Sequence, residues 1–320
     1  MYVQHHASAT FRHDKPVQPN VRLSPRRLTQ GIDRLLAEFH TGVNIASLPL
    51  FHGNVDRLLV FALLLRTSLS RPDRDGAISI HSAALSLGRP FETVRRHVTA
   101  LTEMGICHRI DAGVTIRPTF WTRPEAERAL RRAHDCFVRF VADSTVAGLV
   151  QAPPIRAISH FTLEHGLCAA SDLLLALVDR NRPLLPEAVD LAIVSAVHHG
   201  NAQRLEADAR MFGGSAQGMS TFMPNHALRI AAVARTLALP DTTVRRRVGP
   251  LIGAGLPFTR VRTGLIVSAQ WLANREDLVA RDPRHGTLQM ILNRAAAAGF
   301  PFPAPASAYC DGRPESPHID

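Results

Sequence analysis

The chain has 320 residues, 46% hydrophobic and 20% charged, enough apolar material for sizeable cores and too much for a wholly disordered protein. Its formal net charge is +10, from 37 basic against 27 acidic side chains, and Lys15 is the only lysine. That balance favours polyanionic partners, nucleic acid ahead of an anionic membrane surface.

Residues 1–25 are polar and basic, with Pro16, Pro19 and Pro25, and are expected to form a disordered arm. Helical periodicity follows over Leu28–Glu38 and Val55–Ser68, then over Pro124–Val141, Ile158–Asp179 and Pro186–His199. The longest apolar run, Leu58–Leu65, is closed by Arg57 and Arg66 and falls far short of the ~20 residues that span a bilayer, so no membrane contact is expected. Residues 201–224 hold Gly213, Gly214 and Gly218 and read as a mobile loop. Residues 276–300 read as C-terminal helices, and 301–320, with prolines at 301, 303, 305, 314 and 317, as a disordered tail. Cys107, Cys136, Cys168 and Cys310 form no CxxC pair, which suits a reducing cytoplasm better than a disulfide framework.

Sliding the chain against itself by 150 residues aligns 80–121 with 230–271 without a gap, and thirteen positions are identical. They run from Ile80/Ile230 through Thr93/Thr243, Val94/Val244, Arg95/Arg245 and Arg96/Arg246 to Ile116/Ile266 and Trp121/Trp271. Chance supplies two or three such matches, so the chain carries a duplication. Its units fall at 26–123, with the core at 78–121, and at 225–275, with 124–200 as a helical linker suited to dimerisation or to an effector.

Within the first unit, Ile80, Ala83, Ala84 and Leu87 share one helical face. Gly88-Arg89-Pro90 breaks that helix, and a second helix runs from Phe91 to Met104 with Val94, Val98 and Leu101 inward, ended by Gly105. The period then changes to two strands around Asp111-Ala112-Gly113, mirrored in the second unit around Arg262-Thr263-Gly264. Two helices joined by a glycine-containing turn give the outline of a helix-turn-helix, and the hairpin adds a wing.

The run Thr93-Val94-Arg95-Arg96-His97-Val98 with Leu101 and Gly105, repeated as Thr243-Val244-Arg245-Arg246-Arg247-Val248 with Leu251 and Gly255, resembles the DNA-binding modules of bacterial winged helix regulators of the MarR and IclR type. The resemblance covers roughly 65 residues per copy and implies a mainly α fold with small β-hairpin wings: tandem winged helix-turn-helix domains embedded in helical segments. It implies a sequence-specific transcription regulator that binds double-stranded DNA, cytoplasmic and nucleoid-associated, with a homodimer and a small-molecule effector both left open. The wing tips of such families reach the minor groove or a phosphate, which nominates Arg109, Arg260 and Arg262.

An α-helix about 10–12 Å across fits the major groove, where arginine binds guanine bidentately or neutralises phosphates. The outer residues of the second helix in copy one are then Arg89, Glu92, Thr93, Arg95, Arg96 and Thr99, and in copy two Thr242, Thr243, Arg245, Arg246 and Arg247. From Arg89 to Arg109 four Arg oppose two Glu; from Leu239 to Arg262 five Arg oppose one Asp. Gly249-Pro250 should kink or end the helix of copy two early, since proline removes a backbone bond and clashes with the preceding turn. Two rival readings are a plasmid or phage replication initiator, which also uses tandem winged helices, and a winged helix module that docks proteins. The sixteen histidines, among them His5-His6, His198-His199 and His160 with His165 and Cys168, lack paired ligand spacings, so no metal is expected. With no phosphate loop, dinucleotide fingerprint or nucleophile motif, neither a cofactor nor catalysis is expected.

Overall fold

The computed structural model describes residues 24–70, 76–154, 160–211, 221–280 and 285–320. The fold is mainly helical with two small antiparallel two-stranded sheets. No single helix among the described residues is long and apolar enough to cross a membrane. Most of the N-terminal arm lies outside the described residues.

Five long helices form the platform: α1 (Pro25–Ser47), α2 (Val55–Ser70), then, after a first small unit, α6 (Pro124–Val146), α7 (Leu163–Asn181) and α8 (Ala188–Met211). Helix α1 packs on α6 and α8, and α2 on α7. Helix α6 opens with Pro124 and carries Glu125 and Glu127 in its first turn, where the helix dipole favours negative charge. It buries Ala126, Leu130, Phe137 and Val141, one apolar face against α1 and α7.

Helix α1 runs well past Glu38, its buried face continuing through Phe39 and Val43. The polar residues beyond Glu38 bond inside the helix or across it, although the buried Asn44 Oδ1 has no partner among the described residues. Thr41 Oγ1 donates to the Ala37 carbonyl at 2.7 Å, Asn44 Nδ2 donates to the His40 carbonyl at 2.7 Å, and His40 Nδ1 lies 2.9 Å from Ser195 Oγ on α8. Helix α8 likewise continues to Met211 and takes in half of the expected 201–224 loop, of which 212–220 lie outside the described residues. The buried amide of Asn201 holds it in place: Nδ2 donates to the His226 carbonyl at 2.8 Å, and Oδ1 accepts from Val267 N–H at 2.9 Å.

Between α2 and α6 lie α3 (Ile80–Leu87), α4 (Phe91–Glu103), β1 (Cys107–Ile110), β2 (Gly113–Ile116) and the single turn α5 (Pro118–Trp121). After α8 come α9 (Ile230–Thr236), α10 (Asp241–Val248), β3 (Phe258–Val261), β4 (Gly264–Val267) and α11 (Ala269–Ala280), and α12 (His285–Ala297) completes the helices. Helices α3 and α4 with β2 rest on α2, while α9 and α10 with β4 rest on α8, so each unit uses the helix before it as its floor. A backbone bridge from Ile78 to Val114, matched by Leu228 to Leu265, ties the start of each unit to its hairpin.

The two units differ by one residue. The Arg117 N–H bonds the Ile106 carbonyl at 2.9 Å, and the Ser268 N–H bonds the Pro257 carbonyl at 2.8 Å, so Pro257 stands where Ile106 does. The extra residue is Leu256, 40% exposed, and beyond it the repeat offset is 151. The identities Ile116/Ile266 and Trp121/Trp271 therefore fall out of register. Phe120 and Trp271 become the matched buried aromatics, and Arg109/Arg260 and Gly113/Gly264 become matched pairs. Helix α10 stops at Val248 and passes into a 3-10 turn over Gly249–Leu251, the early ending that Pro250 imposes.

Residues 301–320 correct the expectation of a disordered tail. They run as a strap across α6, α1 and α8, anchored by buried Phe302, Ala308 and Ile319. Arg132 and Arg139 donate to the carbonyls of Glu315 and Pro314, Ser316 Oγ donates to Glu38 at 2.6 Å, and Arg313 pairs with Asp143 at 2.8 Å. The strap ends on the second unit, where Arg235 of α9 donates to the Asp320 carbonyl at 3.0 Å.

Candidate nucleic-acid interface

The outer face of α4 follows from its buried one. Val94, His97, Val98 and Leu101 are buried, so Glu92, Arg95, Arg96 and Thr99 turn outward. Arg95 is held by Glu92 through two bonds, Nε at 2.7 Å and Nη2 at 2.6 Å, and the guanidinium keeps the Glu92 carboxyl below its ordinary range. Helix α10 repeats the device one residue wider, with Arg245 paired to Asp241. In both units the second arginine, Arg96 or Arg246, is exposed and makes no ion pair within 4 Å among the described residues, although Arg96 lies near enough to Glu92 to help hold its carboxyl ionised.

Three nominated side chains face elsewhere. Arg89 is 3.5 Å from Asp56 of α2, and Thr93 points into a cleft between α2, α4 and α7 that Leu63, Val178 and Arg182 also line. Arg247 leans back on α8, its two amino groups 3.7 Å from Glu187 and 3.8 Å from Asp190. The two arginines brace the units against the platform. Thr99 is exposed, but its hydroxyl donates to the Arg95 carbonyl at 3.0 Å. Thr242 is exposed and Thr243 half-buried.

The hairpins add the rest of the charge. Arg109 and Arg260 occupy the same strand position, opposite Val114 and Leu265, and both are exposed without an acidic partner among the described residues. At the tips the units diverge: Asp111-Ala112 closes the first hairpin and Arg262-Thr263 the second. Two further exposed arginines were not signalled by the repeat, Arg117 at the start of α5 and Arg229 at the N-cap of α9. Neither is duplicated, since Ser268 and Ser79 stand at the matching places.

The ends of the helices are fastened from outside the unit. Arg123 donates to the carbonyls of Met104 and Gly105 at 3.1 and 2.9 Å and closes the C-terminus of α4, and Arg182 donates to the Leu87 carbonyl at 2.9 Å behind the α3–α4 turn. A rigid helix with one buttressed and one free arginine, beside a strand arginine, is suited to hydrogen-bond base edges and to neutralise phosphates together. No protein-family model, curated protein or solved structure matches this chain.

Proposed function

We propose that the protein binds double-stranded DNA through both units, each a winged helix-turn-helix, and acts as a sequence-specific transcription regulator. The supporting observation is the recurrence of the same exposed cations at matched positions, Arg96 with Arg246 and Arg109 with Arg260, none of them in an ion pair within 4 Å among the described residues. Structural surface arginines tend to find carboxylates, as Arg66, Arg131 and Arg313 do here. Cations left free at the same place in two copies are what a polyanionic partner requires.

The copies divide the work. Helix α4 has 13 residues and α10 has 8, so the longer one is the reader of base edges. The second unit, with Arg260 on its strand and Arg262 at its hairpin tip, is the clamp on phosphates. One polypeptide thereby offers two half-site contacts, which regulators of this type otherwise assemble by dimerisation. Selection of binding sites from random duplex DNA tests the reading: a recurring motif protected together with a less specific flank supports it, and failure to enrich any sequence contradicts it.

A further inference from the structure

Away from the arginine-bearing faces, α6, α7 and the strap meet at a cluster of donors that DNA binding does not use. His134 and Asp135 are adjacent on α6 and are 1% and 2% exposed. Asp135 receives the strap: Oδ1 accepts the Cys310 N–H at 2.8 Å and Oδ2 the Asp311 N–H at 3.0 Å. That two-point grip fixes the thiol, placing Cys310 Sγ 3.5 Å from His134 Nδ1, while Nδ1 is 2.9 Å from Asp135 Oδ1. On the far side α7 makes room for the imidazole. Gly166 packs against it so closely that a Cβ there would lie 1.9 Å from its Cδ2.

We propose that His134 Nδ1, an Asp135 oxygen and Cys310 Sγ bind a thiophilic divalent cation, with Zn2+ the best match. One imidazole, one carboxylate and one thiol, all within 4.8 Å of one another, form a borderline-soft donor set. Donors 2.0–2.3 Å from a tetrahedral zinc stand roughly 3.3–3.8 Å apart, so the Sγ to Nδ1 spacing already fits and the Nδ1 to Oδ1 pair must open by a few tenths of an ångström. The two backbone N–H groups on the carboxylate are the kind of outer contacts that orient a metal-bound oxygen. Three protein donors leave a fourth position for water. Binding replaces the Nδ1 to Asp135 hydrogen bond with metal bonds: the imidazole keeps its one proton, now on Nε2, and the thiol proton is released to solvent. Its consequence is to rivet residues 301–320 to α6, on a strap whose other end is bonded to α9.

Cobalt is the probe. The full-length chain, stripped with a chelator, is titrated with Co2+ and followed by absorption spectroscopy. The expected result is a thiolate-to-cobalt charge-transfer band with tetrahedral d–d bands, saturating at one equivalent and bleached by Zn2+. The bands persist in Cys168→Ser and vanish in Cys310→Ser. Zn2+ also shields Cys310, but not Cys168, from iodoacetamide in the unmutated chain, a readout by mass spectrometry that needs no variant to fold. Absence of the charge-transfer band, its persistence in Cys310→Ser, or equal alkylation of Cys310 with and without Zn2+ would overturn the proposal.

Discussion

Gly88 and Ala238 stand at the same point of the two units, 150 residues apart, and both are left-handed, with φ of 56° and 51°. Glycine adopts that conformation freely; alanine is strained there by roughly 1–2 kcal/mol. Ala238→Gly is therefore expected to stabilise the protein by about 1 kcal/mol, some of the relief being lost to the freer unfolded chain. Gly88→Ala should destabilise it by more, since a Cβ there would also lie 2.1 Å from Arg182 Nη1. Urea midpoints of the two variants check the opposite signs.

Asn201 is fully buried and bonds three backbone groups of the second unit, the carbonyls of His226 and Leu265 and the N–H of Val267. Replacing it with alanine leaves the Leu265 carbonyl its bond from the Leu228 N–H but strands the His226 carbonyl and the Val267 N–H, at about 1–3 kcal/mol for each one left unsatisfied. Asn201→Ala should lower stability by several kcal/mol, mostly through detachment of β4 from α8. Hydrogen exchange at Val267 would show the loss locally, while the Val114 amide of the first hairpin stays protected.

Burial holds the imidazole of His40 neutral and lowers its pKa from 6.5 to about 4. Above pH 6.5 the group is neutral in both folded and unfolded chains and contributes no pH dependence. As pH falls from 6.5 to 4 only the unfolded chain takes up the proton, so stability drops, by about 3 kcal/mol in total at 1.36 kcal/mol per pH unit. His97 and His199, also lowered by burial, act in the same direction. Melting temperatures between pH 7.5 and pH 4 should fall steadily in the native chain and less steeply in His40→Gln.

Glu92 occupies Arg95, and Asp111 closes the first hairpin, so both carboxylates face the same partner as Arg96 and Arg109. Against a polyanion each is unfavourable. Glu92→Gln and Asp111→Asn are expected to tighten non-specific duplex binding severalfold at low salt. If Glu92 instead orients Arg95 toward a guanine, Glu92→Gln will tighten binding to random DNA while flattening preference at one base pair. Fluorescence anisotropy with specific and random duplexes separates the two effects.

Much of this arrangement was legible in local pattern. The periodicity around Ile80, Val94 and Val98, the break at Gly88-Arg89-Pro90 and the change of period after Gly105 give the order of elements in the first unit, and the repeat gives the second. What stayed hidden depends on neighbours remote in sequence. Arg89, Thr93 and Arg247 read as outward because Asp56, Val178 and Glu187 come from other helices. The insertion at Leu256 was masked because Ile116/Ile266 and Trp121/Trp271 imitate a gapless match, whereas backbone bonds put Val267 opposite Phe258 just as Ile116 stands opposite Cys107. The strap has no periodicity at all. It is held by arginines and a carboxylate of α6 gripping its backbone, an arrangement to which composition is blind.

Whether both units grip DNA is decided by duplex affinity as a function of salt, comparing the native chain with a variant carrying Arg96→Ala, Arg109→Ala, Arg246→Ala and Arg260→Ala. All four side chains are exposed and none makes an ion pair within 4 Å among the described residues, so the variant should fold as the native chain does. Each phosphate that an arginine no longer neutralises reduces the slope of log K against log salt by about 0.9. The native chain is expected to show steep salt dependence and the variant a slope shallower by roughly 3–4, with affinity near 100 mM salt lower by orders of magnitude. No duplex binding by the native chain at low salt, or an unchanged slope in the variant, would contradict DNA binding through the paired arginines.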